Sequence, residues 1–479
     1  MEVPRDEIAA VLSEYNPWWR GMPIPDLPTW RRAAFAGLKL WATNPPADRA
    51  VALSGARQIG KTTLMRQVIE AVLEDGVPPA NILYATFDHP ILKLAGIESV
   101  LAAWREREPA ASGPEYLFLD EAQFLPDWGT WVKLAVDFRK SRRIIFTGSA
   151  MTLARDQPES GVGRWHTIRM TTLSFYEYLA LRQLDLPPLP PLDSLREAFD
   201  WSRNKRRDVS EQAVPYTGHF HEYLLRGGFP QTALVDSITR AQQLLREDII
   251  DKVLKRDMTA FFGVRRPLEL EYAFLYLCRN DGGLLDYQAL CSNLQISRRT
   301  AERYIDLLEA SHLIYRLPPF GYGKEVLRGR FKIYLTDPAM APAVMMRGKP
   351  MLQDPTALGV ATETAVLKHL FARYYRASVS FSYWQDKQRR EVDLVADTGH
   401  ELVPFEVKYR STHTGAGDLK GLLELCRSRS LERGYVVTRA LEDFGELEGI
   451  DLPSRILRIP APLLCYWMGR SELSDAESA

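Results

Sequence analysis

The stretch that decides the fold is Ala50-Val51-Ala52-Leu53-Ser54-Gly55-Ala56-Arg57-Gln58-Ile59-Gly60-Lys61-Thr62-Thr63. It reads as a short apolar strand running straight into a glycine loop, with a helix predicted from about Lys61 to Leu73. Gly55 to Thr63 match the spacing G-x-x-x-x-G-K-[ST]. Glycines let backbone N–H groups close on phosphate oxygens, and the helix that follows adds the positive end of its dipole. The cradle is therefore expected from Gly55, Ala56, Arg57, Gln58, Ile59 and Gly60, continuing into Lys61, Thr62 and Thr63. Lys61 reaches β- and γ-phosphates in such a loop, and the Thr62 hydroxyl ligates Mg2+.

Working outward, Tyr116-Leu117-Phe118-Leu119-Asp120-Glu121 is an apolar strand that delivers two acids at its C-terminal end. Asp120 is expected to hold the Mg2+ hydration shell, and Glu121 to orient and deprotonate an attacking water. A third apolar run ends in Thr147-Gly148-Ser149, whose hydroxyls emerge at the same edge and could contact the γ-phosphate or the water. Ile82–Phe87 is a further strand. Strands alternating with helices imply a parallel sheet, and open sheets of this kind bind ligands at the strands' C-terminal edge. Gly163-Arg164 offers a cation for transition-state charge, in cis or across a subunit boundary, with Arg155 as its competitor.

These motifs, quoted as GARQIGKTT, YLFLDEAQ, TGSA, GRW and LSFYEYL, resemble AAA+-type ATPases that carry a C-terminal DUF4143 domain. Tyr223–Pro230 (YLLRGGFP) and Lys332–Met340 (KIYLTDPAM) extend the resemblance over roughly residues 10–430. It implies an ASCE-type core that binds ATP with Mg2+. It also implies Lys61, Asp120 and Glu121 as nucleotide and catalytic residues, and Arg164 as the finger candidate. One departure is Thr171–Phe175, TTLSF, where the family usually has a proline before LSF.

Composition bounds the rest. A chain of 479 residues is too long for one core and suggests several domains. Lys+Arg and Asp+Glu both number 61, so any nucleic-acid surface must be a local patch. Cys278, Cys291, Cys426 and Cys465 show no metal spacing, which argues against zinc or a disulfide framework and fits a reducing cytoplasm. The start MEVPRDEIAAV lacks the pattern of a signal peptide, and no apolar run is long enough to span a membrane. A cytoplasmic protein without a membrane partner is the expectation.

The expected fold class is α/β. A lead occupies 1–48, with the aromatic cluster Tyr15-Asn16-Pro17-Trp18-Trp19, and the AAA+-like core occupies 49–185. Leu186–Pro191, LPPLPP, reads as a stiff connector and domain boundary. Helices are expected over 192–280, broken at Gly227-Gly228-Phe229-Pro230, then a winged-helix region over 281–342 and a nuclease-like α/β domain over 343–479.

In the winged-helix region, Asp286–Leu294 and Ser297–Ser311 are predicted helices, with Ser297 as N-cap of the second. Ala301, Tyr304, Ile305 and Leu308 form its apolar face, leaving Arg298, Arg299, Glu302, Arg303 and Asp306 outward. Such a helix can enter a DNA major groove or serve as a purely structural lid.

Near the C-terminus, Glu391–Asp397 and Leu402–Lys408 alternate as strands around Gly399-His400, a pair suited to a two-residue turn. In that register Asp393 faces Glu406 and Glu391 faces Lys408, all on one face. Opposed carboxylates destabilise a sheet unless a cation lies between them. The hairpin resembles the PD-(D/E)xK nuclease site, with Asp393, Glu406 and Lys408 around a second Mg2+ or Mn2+ and Glu363 as a further acid. A fold remnant whose acids pair with Lys408 and nearby arginines is the alternative. Lys387, Arg389 and Arg390 lie beside it as phosphate contacts or as edge charges.

Two functions are consistent with this pattern. One is an oligomeric ATP-driven enzyme that processes DNA, including branched DNA such as Holliday junctions. The other is an ATP-dependent regulatory or defence switch whose C-terminal domain binds a protein or DNA without cutting.

Overall fold

In a computed structural model, the chain is described over residues 3–148, 163–259, 263–321, 329–374, 379–449 and 452–478. It divides into two compact units, Met1–Met170 with Leu473–Ala479, and Thr171–Glu472.

The first unit is built on β1 (Ala50–Ser54), β2 (Ile82–Thr86), β3 (Glu115–Asp120), β4 (Arg142–Gly148) and β5 (Trp165–Arg169). All its pairings are parallel, in the order β2-β3-β4-β1-β5. The predicted strands are all present. The order puts β4 between the strand that carries the glycine loop and the strand that ends in the two acids. Helices α1 (Arg5–Tyr15), α2 (Ala34–Thr43), α3 (Lys61–Glu74), α4 (Pro90–Arg107) and α5 (Trp128–Phe138) complete the unit. Trp104 of α4 is fully buried in a core with Ile8, Leu12, Leu83, Leu117 and Phe146.

The aromatic lead is part of this unit and not a loose extension. Strand β2 is the sheet edge, and Asn16 closes it: Tyr84 N donates to Asn16 Oδ1 (2.7 Å), while Asn16 Nδ2 donates to Tyr84 O (2.9 Å). Trp18 and Trp19 both donate indole N–H groups to Ile82 O, at 3.2 and 2.9 Å. Side chains thus take the place of a sixth strand and satisfy an edge that would otherwise invite pairing.

The second unit opens with α6 (Phe175–Leu181), α7 (Arg203–Gln212), α8 (Val214–Arg226), α9 (Pro230–Leu234) and α10 (Ile238–Arg246), which continues as a π-helical stretch, Glu247–Asp257. The helical break falls at Gly227-Gly228, as the sequence implies. Gly228 N donates there to the buried Asp337 carboxylate (2.9 Å), pairing the two family motifs. The proline-rich segment is not a free connector. Leu189 and Leu192 are buried, and Pro190 O accepts the Trp467 indole N–H (3.0 Å). The division between units falls instead at Met170/Thr171.

Next come α11 (Pro267–Arg279), α12 (Tyr287–Leu294) and α13 (Arg298–Ala310), then an antiparallel pair, β6 (Ile314–Leu317) with β7 (Lys332–Leu335). Ser297 caps α13 by accepting from Thr300 N (3.2 Å), and Ala301, Tyr304, Ile305 and Leu308 are buried. Helices α14 (Met340–Val344) and α15 (Pro355–Tyr374) lead to the C-terminal sheet. It comprises β8 (Ser380–Gln385), β9 (Glu391–Asp397), β10 (Leu402–Lys408), β11 (Arg433–Thr438), β12 (Gly445–Glu446) and β13 (Arg455–Pro460), in the order β12-β13-β11-β10-β9-β8. Helix α16 (Lys420–Arg429) covers it through Leu422 and Leu425, packed with Val392, Val395 and Val436.

Candidate functional site

The glycine loop and the acids meet at the C-terminal edge of the first sheet. Gly60 adopts φ +93°, a left-handed conformation that lets the loop turn directly into α3. Thr62 Oγ1 donates to Asp120 Oδ2 at 2.6 Å, and the Tyr84 hydroxyl donates to the same oxygen at 2.8 Å. Thr147 Oγ1 donates to Asp120 Oδ1 and accepts from Glu121 N (2.9 Å). The Glu121 backbone is left-handed, φ +52°, and Gln123 Nε2 donates to Glu121 Oε2. The two acids are thereby aimed by two hydroxyls, a phenol and an amide.

Lys61 is buried and folds onto the loop, donating to Gly55 O (3.0 Å) and Ala56 O (2.7 Å). Burial pulls its ammonium below the ordinary value, against the raising effect of Glu121 and Asp120. Burial, then Asp120, hold the Tyr84 phenol well above its ordinary value, so it remains a donor. Thr62 and Asp120 form the hard-oxygen donor set that Mg2+ selects, and their 2.6 Å approach shows that both reach one point. The residues fit Mg2+ bound with a nucleotide.

Two sequence expectations change here. The Thr147 hydroxyl is engaged with the acid pair, so it positions Asp120 and Glu121. Arg164 stands at the opposite edge of the sheet. Its carbonyl accepts from Ala50 N (3.0 Å) at the start of β1, and its guanidinium meets Asp137 at 3.4 Å. The length of a five-residue strand, roughly 16 Å at about 3.3 Å per residue, separates it from the glycine loop, so it cannot act in cis. Ser149 and Arg155 lie outside the described residues. Sequence reasoning missed Arg169, which the parallel register sets beside Ser54 at the C-terminal edge.

In the C-terminal sheet, β9 and β10 pair antiparallel in the expected register, Asp397 with Leu402 through Leu394 with Phe405, around Gly399 at φ +80°. A register irregularity occurs one strand over, where β8 pairs with β9, between Ser382 and Trp384. The side chains are organised differently from a metal site. Lys332 of β7, 3 % exposed, enters the acids: its Nζ lies 2.5 Å from Glu391, 3.5 Å from Asp393 and 3.7 Å from Glu363. Glu391 therefore pairs with Lys332 and not with Lys408, which bonds Glu406 at 2.5 Å. Asp393 Oδ2 accepts from Val407 N (2.9 Å), and the Tyr334 hydroxyl donates to Glu363.

Burial, then the Asp393 charge, raise the Glu363 and Glu406 carboxyls well above the ordinary carboxylate range. Burial alone would lower Lys332, but Glu363, Asp393 and Glu391 overcome it and hold the ammonium above its ordinary value. Lys408 is held above likewise by Glu406 and Asp393, against burial. A protonated lysine has no lone pair, so Lys408 is no metal ligand. One buried oxygen, Glu406 Oε2, has no hydrogen-bond partner. Even so, among the described residues no three His, Cys, Asp or Glu side chains form a set able to hold a metal ion. As arranged, these acids do not fit one.

The expected DNA residues divide. Arg298 is engaged with Glu302 (2.6 Å) and stacks over Tyr287, 3.6 Å from the ring centroid. Arg299 and Arg303 instead line a cavity of about 600 Å³ together with Arg265, Arg266 and Tyr304. Arg390 is held by Asp386 (2.6 Å) and Glu424 (3.1 Å), so it fastens the hairpin approach to α16. Lys387 and Arg389 are exposed beside it.

Comparison with known proteins agrees with the first unit. The AAA domain family matches residues 47–179, and two domains of unknown function, DUF8612 and DUF4143, match 217–350 and 358–457. The first unit's parallel sheet and glycine loop thus fall within the span that the AAA domain model matches, and the C-terminal sheet largely within the span that the DUF4143 model matches. An uncharacterized protein of Haemophilus influenzae is 24% identical over 368 residues, 74% of this chain and 82% of the relative. One of Mycobacterium tuberculosis is 26% identical over 400 residues, 82% of this chain and 77% of the relative. Among solved structures, Orc1 of Aeropyrum pernix in complex with DNA overlaps at 13% identity and TM-score 0.29, covering 69% of this chain and 96% of that one. Cdc6p of Pyrobaculum aerophilum overlaps at 14% identity and TM-score 0.28, covering 72% and 96%. Among the described residues no helix is long and apolar enough to cross a membrane.

Proposed function

We propose that this chain is a Mg2+-dependent ATPase whose hydrolytic cycle is coupled to DNA binding. The observation that carries the ATPase reading is the contact of Thr62 with Asp120, which unites the glycine loop and the strand-end acids in one site. Lys61 and the loop N–H groups bind the phosphates, and Thr62 and Asp120 would hold Mg2+, which neutralises phosphate charge when bound. Glu121 accepts the proton of the attacking water, its carboxylate oriented by Gln123 and its backbone by Thr147.

Arg164, remote from its own loop, serves as a finger only for a neighbouring subunit, so activity requires a homo-oligomer. The Arg265, Arg266, Arg299 and Arg303 cavity supports the nucleic-acid reading, because guanidinium groups bind phosphates through paired hydrogen bonds. The helices α12 and α13 with the β6–β7 pair act as a winged helix that presents it. Of the two readings of the C-terminal domain, a non-cleaving binding module agrees better with its lysine-filled acid cluster. The test is ATP turnover against duplex, single-stranded, forked and four-way DNA. Stimulation by any of them supports the coupling, and stimulation by a protein partner alone favours the regulatory switch.

A further inference from the structure

We infer that Lys332 is the resident cation of the C-terminal acid cluster, standing where a nuclease of this hairpin pattern would hold a divalent metal. In the wild-type chain the cluster therefore binds no metal and serves as a dock for β7. This inference is independent of the ATPase reading.

Three acids from two elements converge on one nitrogen: Glu391 and Asp393 from β9, and Glu363 from α15. An ammonium has three donors and no acceptor, and three carboxylates match that valence. Two aromatic faces complete the enclosure, with Nζ 5.9 Å from the Tyr334 ring centroid and 5.8 Å from that of Tyr383. Aromatic faces attract an organic cation, whereas Mg2+ requires near-octahedral oxygen ligands at about 2.0–2.1 Å. The surroundings are those of a lysine pocket.

Neighbouring contacts fix the lysine in place. The Tyr334 hydroxyl donates to Glu363 from the same strand, and Leu335 N donates to the buried Asp281 (2.9 Å). Asp281 also accepts from Thr364 of α15 (2.8 Å). Strand β7 is thus held to α15 and the hairpin by a polar network in which every named group has its partner. Removing one member of such a network leaves the others buried without compensation. The same acids do not form a metal-binding set as arranged, but relieved of their ammonium and free to draw together they become an anionic pocket of the kind that takes a hard cation.

The experiment is Mn2+ titration of the full chain, followed by the electron paramagnetic resonance signal of free Mn2+. It is done without nucleotide and in an Asp120→Asn background, which removes the glycine-loop site. With Lys332 intact, no Mn2+ site dependent on Asp393 is expected. Lys332→Ala should create one site per chain, and adding Asp393→Asn should abolish it, whereas Lys332→Arg should keep it closed. Lys332→Gln replaces Lys332→Ala if circular dichroism shows the alanine variant unfolded. Two results overturn the inference: a Mn2+ site in the Lys332 chain that Asp393→Asn/Glu406→Gln removes, or a folded neutral variant that gains none.

Discussion

The Thr62 hydroxyl and the Asp120 carboxylate meet at 2.6 Å, joining the loop after β1 to the end of β3 across the intervening strand β4. The same carboxylate receives Tyr84 from β2 and Thr147 from β4, so three elements converge on one acid of β3. Its partner, Glu121, is thereby fixed at the site's edge. Glu121→Gln is expected to retain nucleotide but to lower ATP turnover by about 10²–10⁴, the usual worth of a general base. Lys61→Ala should lose nucleotide binding itself. Binding of a fluorescent ATP analogue and steady-state turnover separate the two effects, and undiminished turnover in Glu121→Gln would refute the assignment.

Arg164 lies at the far edge of the sheet from the loop, against Asp137. Arg164→Ala should therefore leave nucleotide affinity unchanged. If it completes a neighbour's site, turnover per chain should rise with protein concentration in the wild type and stay low in the variant. A dilute monomer with full activity would exclude the arrangement across subunits.

Asn16 replaces a missing strand along the edge of β2. Asn16→Ala leaves the Tyr84 N–H and carbonyl buried without that partner, at a cost of roughly 1–3 kcal/mol per unsatisfied group. Chemical denaturation should show the loss. A stability equal to wild type would mean that water or a shifted Trp19 takes over the edge.

Binding to DNA should weaken steeply with salt, because each phosphate contact releases counterions. Arg265 and Arg299 of the cavity should carry more of it than Arg298 or Arg390, which are already paired with acids, as Arg266 is with Glu269 (2.8 Å). Arg265→Ala/Arg299→Ala is expected to reduce the salt slope, and Arg390→Ala to leave it nearly unchanged. Equal slopes in all three proteins would place the surface elsewhere.

His369 is buried, with Nε2 accepting from Phe175 N (2.8 Å) and Nδ1 against Ala365 O (2.6 Å), which requires the neutral imidazole. Burial, then the adjacent Lys368, lower its pKa to about 3. An unfolded histidine titrates near about 6.5, so between these values the unfolded chain binds the extra proton. Stability from this group is complete above about 6.5 and is lost as pH falls toward about 3. His369→Gln should flatten the decline in denaturation midpoint between pH 7 and 4. Parallel profiles for the two proteins would contradict it.

The local periodicities were legible in the sequence because they depend on neighbours only. The alternation around Gly399 set the β9–β10 register, and the 3.6-residue spacing of Ala301, Tyr304, Ile305 and Leu308 set the buried face of α13. The glycine loop and the strand-end acids likewise announced themselves by spacing, and the family resemblance added their roles. Partners far apart in the chain left no such mark. Asn16 meets Tyr84 only because β2 is a sheet edge, and Arg164 is remote from Lys61 because β5 runs parallel to β1.

Lys332 is the sharpest case. It is a single lysine in an apolar strand, 61 residues before Asp393, and although it opens the KIYLTDPAM motif, nothing in the sequence ties it to the acids. The sequence by itself determined which residues could bind phosphate or cations, since that follows from side-chain chemistry and strand parity. Tertiary packing alone decided which cation reaches the acids. A buried carboxylate takes whichever positive group the fold brings within a few ångströms, and here β7 delivers an ammonium.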